Sequence, residues 1–250
     1  MKSFMTLFKN ELKLNIRNMN MVIFAVIMPL VVLVVLGLIY GTKPAAEGAE
    51  YTFLEQSFGA LCTISICAGG LMGLPLVVAE YRERRILKRF QVTPVSPFKL
   101  LLVEFSIYVV YCIVSMITLF PAAMLIWNVG IKGSLPAFLG SWLLTMVSTL
   151  SIGMMVGGVA KNSKSASVIA CILYFPMLIF SGATLPFEVM PPVMQKIVSV
   201  FPLTQGIELM KSAFLGMPAE NGWLPVVVMS AVTVICTGIA VRFFKDRFII

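Results

Sequence analysis

Residues 18–42, NMNMVIFAVIMPLVVLVVLGLIYGT, run for 25 positions without a charged side chain. A helix rises about 1.5 Å per residue, so about 20 residues cross the roughly 30 Å of hydrocarbon in a bilayer. Five further charge-free stretches are as capable: 56–79, 105–131, 133–160, 165–187 and 221–241. The next longest gaps, 90–98 and 197–207, are too short to span. The expected fold is therefore an all-α integral membrane protein with six transmembrane helices. Their spans are expected at about 21–40, 57–79, 99–126, 137–160, 166–185 and 223–241.

Composition agrees. Of 250 residues, 59% are hydrophobic and 12% charged, with a mean hydropathy of +0.98. A soluble domain carries about 25% charged residues, so a water-facing surface cannot be built from this chain. Missing residues exclude several chemistries. The chain has no histidine and one aspartate, Asp246, which rules out Ser-His dyads, HExxH zinc sites and paired-aspartate proteolysis. The dipeptide Gly-Lys never occurs, so no GxxxxGK[ST] phosphate loop exists to hydrolyse ATP. Cys62, Cys67, Cys112, Cys171 and Cys236 all fall in expected spans and read as small packing residues, without metal-ligand spacing.

Charge sets the expected topology. With both termini in the cytoplasm, 15 of the 19 Lys and Arg residues lie inside, and only Lys43, Lys132, Lys196 and Lys211 lie outside. That split obeys the positive-inside rule, and the inverted orientation violates it. The pI of 9.4 then reflects contact with anionic membrane lipids rather than nucleic acid. The first apolar run is too long for a signal-peptide core and is expected to be retained as a span.

Residues 2–19 read as an amphipathic interfacial helix, with Phe4, Met5, Phe8, Leu12, Ile16 and Met19 on one arc and Lys2, Lys9, Lys13 and Arg17 beside it. Pro29, Pro75, Pro121 and Pro176 mark kinks inside spans. The pairs Gly69/Gly73 and Gly153/Gly157 have the small-xxx-small spacing of close helix packing, within one chain or between copies. Residues 80–92 favour helix, with Ile86, Leu87 and Phe90 as an apolar edge among basic side chains. Pro94 ends it, and Ser96-Pro97 reads as the start of the third span. The segment 186–222 holds two half-apolar stretches, roughly 189–201 and 204–215, parted by Phe201-Pro202 and too short to span. The segments near 41–55 and 128–136 read as plain connectors.

Two motifs carry a resemblance: ERRILKRFQVTPVSPFKLL (83–101) and SGATLPFEVMPPVMQKIVSVFPLTQGIELMK (181–211). With six spans and a basic amphipathic start, the chain resembles the permease subunit of type-2 ATP-binding-cassette (ABC) exporters over its whole length. One departure is that Arg85-Ile86 stands where many members have Gly-Thr, which bears on local helix geometry.

The resemblance implies a single transmembrane domain over 1–250 with a coupling helix at 82–91 seated on a separate ATPase subunit. Arg82, Arg84, Arg85, Lys88 and Arg89 would contact partner carboxylates, and Ile86, Leu87 and Phe90 would supply the apolar anchor. Helix 2–19 would touch the same ATPase. The outer segment 187–215 would hold short re-entrant helices, with Pro186, Glu188, Pro191, Gln195, Pro202 and Glu208 as its marker residues.

The implied partners are two ATPase copies and a second permease, in a homodimer or related heterodimer, within membrane lipid. The chain itself would be no enzyme and bind no cofactor or metal, with ATP and Mg carried by the ATPase. The implied location is the bacterial cytoplasmic membrane. Apolar walls without deep charges favour export of a hydrophobic or amphipathic cargo, such as a drug, an antibiotic peptide or a lipid, in the manner of efflux and antibiotic resistance. Two other readings stay open. A proton-coupled secondary transporter would need an intramembrane acid, and Glu104 is the one near a span. About 7–8 Å into its helix, Glu104 is expected to reach back to the inner headgroups. A non-transporting sensor or immunity partner is the other.

Overall fold

A computed structural model describes residues 2–17, 19–41, 43–45, 49–90, 96–180, 191–218 and 222–248. Among them every extended element is helical, and the one β contact is an isolated bridge between Pro44 and Thr52. The helices are α1 (Lys2–Arg17), α2 (Met19–Tyr40), α3 (Phe53–Glu83), α4 (Ile86–Phe90) and α5 (Pro97–Trp127). They continue as α6 (Leu135–Val159), α7 (Ser163–Phe180), α8 (Pro192–Val198), α9 (Pro202–Leu215) and α10 (Leu224–Phe248). Six of these, α2, α3, α5, α6, α7 and α10, are long and apolar enough to cross a membrane. The helix α7 begins before the expected fifth span, whose last residues, 181–185, lie outside the described ones.

Proline explains a shared irregularity. Both α2 and α3 contain one wide π-helical turn, at Ile23–Ile27 and Ala68–Gly73, just before Pro29 and Pro75. A proline ring clashes with the carbonyl four residues back and offers no N–H to it. Widening that turn keeps the helix continuous.

The helix α3 is the axis of the bundle, buried along most of its length, and α6 lies against it. Their approach depends on glycine: a Cβ on Gly153 would collide with the Gly70 carbonyl, and one on Gly157 would sit 2.7 Å from Val78 Cβ. On the other side, Gly69 and Gly73 receive the Tyr108 ring of α5. Both small-residue pairs thus pack within the chain. Phe58 of α3 gathers Phe120, Phe138 and Phe214 at ring distances of 5.1–5.9 Å, tying α5, α6 and α9 together. The outward faces carry apolar side chains such as Phe24, Val35 and Leu38 on α2 and Val234 on α10, as lipid contact requires.

The segments expected to be plain connectors are bonded to each other and to α9. Thr52 and Glu55 form a capping box at the start of α3, and Lys132 pairs with Glu55 at 3.2 Å. The amides of Lys132 and Gly133 donate to Phe214 O at 3.0 and 2.9 Å, and Ser134 N donates to Ala213 O at 3.0 Å. These satisfy carbonyls that the last turn of α9 leaves open. Gly216, with φ +73, ends that helix in a left-handed residue.

Candidate functional site

At the opposite end of the bundle the basic residues collect around the exit from α3. The helix stops at Glu83, and Arg85 adopts φ +57. That left-handed residue occupies the position where the sequence departs from a glycine pattern. Expected as one helix over 80–92, the segment is therefore two: α3 ends, the chain turns, and α4 starts at Ile86, closed by Arg89 N to Arg85 O at 3.2 Å. Residue 91, the last of the expected coupling helix, lies outside the described residues.

The short α4 has two sides. Leu87 is 3% exposed and joins the chain's own core, with Ile86 and Phe90 packed half-buried against it. Leu87, expected as an anchor for a partner, is thus already used to seat α4 on the bundle. Arg84, Arg85, Lys88 and Arg89 face outward. Arg84 pairs with Glu80 at 2.9 Å, both well exposed, a contact of small energetic consequence.

Arg82 does not belong to that outward group. Its Nη1 donates to Gly157 O and Ala160 O, each at 2.7 Å, and to Gly158 O, where α6 ends. A cation placed there satisfies open carbonyls and meets the negative end of the helix dipole. Glu83 reaches the neighbouring helix start: its Oε2 accepts Ser163 N at 2.9 Å and Ser163 Oγ at 2.6 Å, at the beginning of α7. Asn162 Oδ1 accepts Ser165 N at 2.8 Å beside it.

Tyr81, one residue earlier, bridges two carboxyl groups. Its hydroxyl lies 2.9 Å from Glu11 Oε2 on α1 and 2.9 Å from Glu104 Oε1 on α5. Asn15 Nδ2 donates to Glu104 Oε2 at 3.4 Å and to Glu11 O at 3.2 Å. Glu104 is 0% exposed. It does not extend to the headgroups as expected, because Asn15 of α1 and Tyr81 of α3 hold it inside. A hydroxyl has one proton to give, so the tyrosine donates to only one of the two carboxyl groups at a time. On α1, Phe4, Phe8 and Leu12 of the expected apolar arc do pack on the core, but Met5 and Ile16 stay exposed, and Leu7 and buried Asn15, outside that arc, complete the core face.

At the far end, Pro202 takes the first position of α9 and Pro191 precedes α8. Gln195 lies in α8, Glu208 is half-buried in α9, and Pro186 and Glu188 lie outside the described residues. A shallow groove of about 330 Å³ runs between α6 and α9, lined by Ser134, Ser141, Leu209, Ser212 and Met217. Among the described residues no three acidic or cysteine side chains come close enough to hold a metal. All five cysteines are free.

The model of a family described as "ABC-2 type transporter" matches residues 2–215. The chain is 26% identical over 171 residues to "Inner membrane transport permease YhhJ" of Escherichia coli K12, covering 68% of this chain and 45% of that protein. It is 25% identical over 191 residues to "Probable multidrug ABC transporter permease YbhS" of the same organism, covering 76% and 48%. A shorter match, 31% identical over 78 residues, is to "Nodulation protein J" of Neorhizobium galegae, covering 31% of this chain and 30% of that one. The matched region spans about half the length of the first two relatives.

Proposed function

This chain belongs to the ABC-2 type transporter family as a membrane permease, and from that premise we propose that it is the export path of an ATP-driven pump. ATP and Mg are bound by two copies of a separate ATPase subunit, and two permeases, identical or related, form the path between them. Both termini face the cytoplasm of a bacterial inner membrane. The cargo is hydrophobic or amphipathic; one relative is named a multidrug permease. The outer segment 187–215 dips back into the far leaflet.

The observation that carries this reading is the two-sided α4. Leu87 fixes it to the bundle, while Arg84, Arg85, Lys88 and Arg89 offer a basic face to whatever docks there. Charge-assisted bonds to partner carboxylates are stronger than neutral ones, and ATP can drive the permease only by binding one of its states better than the other. Reversing Arg84, Arg85 and Lys88 to glutamate is expected to reduce co-purification of the ATPase and abolish export while membrane insertion stays normal. Normal export by the triple variant removes the assignment.

Burial of Glu104 supports a second reading, in which a proton gradient drives transport through this acid. Glu104→Gln separates the two. Export whose pH dependence is unchanged in that variant eliminates the proton-coupled reading.

A further inference from the structure

We propose that Tyr81, Arg82 and Glu83 are positioning residues that together form a distribution node, passing movement of α4 to four other helices. The proposal rests on the reading of α4 as the ATPase-coupling element.

Successive side chains on a helix point about 100° apart, so three in a row fan across more than half of the helix circumference. Here each of the three finds a different neighbour. Tyr81 holds Glu11 of α1 and Glu104 of α5. Arg82 holds the last carbonyls of α6. Glu83 holds the first residue of α7. The signs are matched to what they grip, a cation at a helix C-terminus and an anion at a helix N-terminus. Arg82 and Glu83 also clasp the two sides of one short turn, residues 160–162, which joins α6 to α7.

The node sits at the very end of α3. Only Arg84 and the left-handed Arg85 separate it from α4. A load on α4 therefore reaches the bundle by two routes, the apolar seat of Ile86, Leu87 and Phe90 and this turn of α3. Three consecutive residues make polar bonds from α3 to α1, α5, α6 and α7 at this end, and beside them Asn15 of α1 bonds Glu104 of α5.

The test needs no knowledge of the cargo. A cysteine is placed at Met217, at the far end of the bundle, with Cys171→Ala removing the half-buried native thiol. The intact permease–ATPase complex is reconstituted, and the rate of maleimide labelling is compared without nucleotide and after trapping with ATP and vanadate. The expected result has two parts. Labelling in the parent complex changes by about fivefold or more on trapping, a usual size for coupling between sites. In Tyr81→Phe, Arg82→Gln and Glu83→Gln that change is lost while ATP hydrolysis persists, and Arg82→Lys restores part of it.

Node variants that keep the nucleotide-dependent change overturn the proposal. So do variants whose hydrolysis and labelling response fall together with the amount of folded complex; Tyr81→Phe, which removes only one oxygen, guards against simple misfolding. A labelling change that survives charge reversal of Arg84, Arg85 and Lys88 defeats the coupling reading instead. If that reversal abolishes the change and the node variants do not, the node alone falls.

Discussion

At Arg85 one backbone angle decides how α4 leaves α3. A φ of +57 puts Cβ against the following carbonyl, at a cost of about 1–2 kcal/mol for a non-glycine residue. Arg85→Gly relieves that crowding, and Arg85→Ala removes the same charge but keeps it. The glycine variant is expected to be more stable than the alanine variant by about 1 kcal/mol, read as a higher unfolding temperature in detergent. The position was legible as a departure from a family pattern, and the angle was not. Glu104 was legible as an acid near a span, yet its burial depends on Glu11, Asn15 and Tyr81. No local pattern joins residues so far apart in the chain. Arg82 misled for a related reason: in sequence it is one cation among several, and only the approach of the α6 terminus turns it inward.

The helices themselves were the readable layer, because length and absence of charge are local properties that a bilayer enforces. The widened turns in α2 and α3 were half legible: Pro29 and Pro75 announce an irregularity, but the choice of a π turn over a kink depends on neighbours. Glycines within one helix also differ by surroundings alone. In α6, Gly153 faces the Gly70 carbonyl, whereas Gly140 faces open space. Gly153→Ala is expected to lower stability by about 1–3 kcal/mol, or to prevent α3 and α6 from packing. Gly140→Ala is expected to change it by less than about 0.5 kcal/mol. Thermal unfolding of the two purified variants checks the contrast, and a Gly153→Ala variant as stable as Gly140→Ala would show that the α3 contact does not govern the site.

The whole molecule brings α1 and the last turns of α10 to one end: Tyr81 reaches Glu11, and Phe244 lies beside Gly158. The charge bias predicts that this end is cytoplasmic. In intact cells a membrane-impermeant maleimide is expected to label Met217→Cys, and to label Lys161→Cys only after permeabilisation, both on the Cys171→Ala background. The reverse pattern would invert the topology and place the basic face of α4 outside. The buried acid also bears on how such a chain is made. Glu104 enters on the third span, where an unpaired acid in hydrocarbon is costly. Asn15 and Tyr81, which bond it, and Glu11, which shares the tyrosine, all precede it in the sequence. Because synthesis runs from the N-terminus, they have left the ribosome before the acid does. The order of translation spares the nascent third span a period of waiting in lipid with its carboxyl group lacking hydrogen-bond partners.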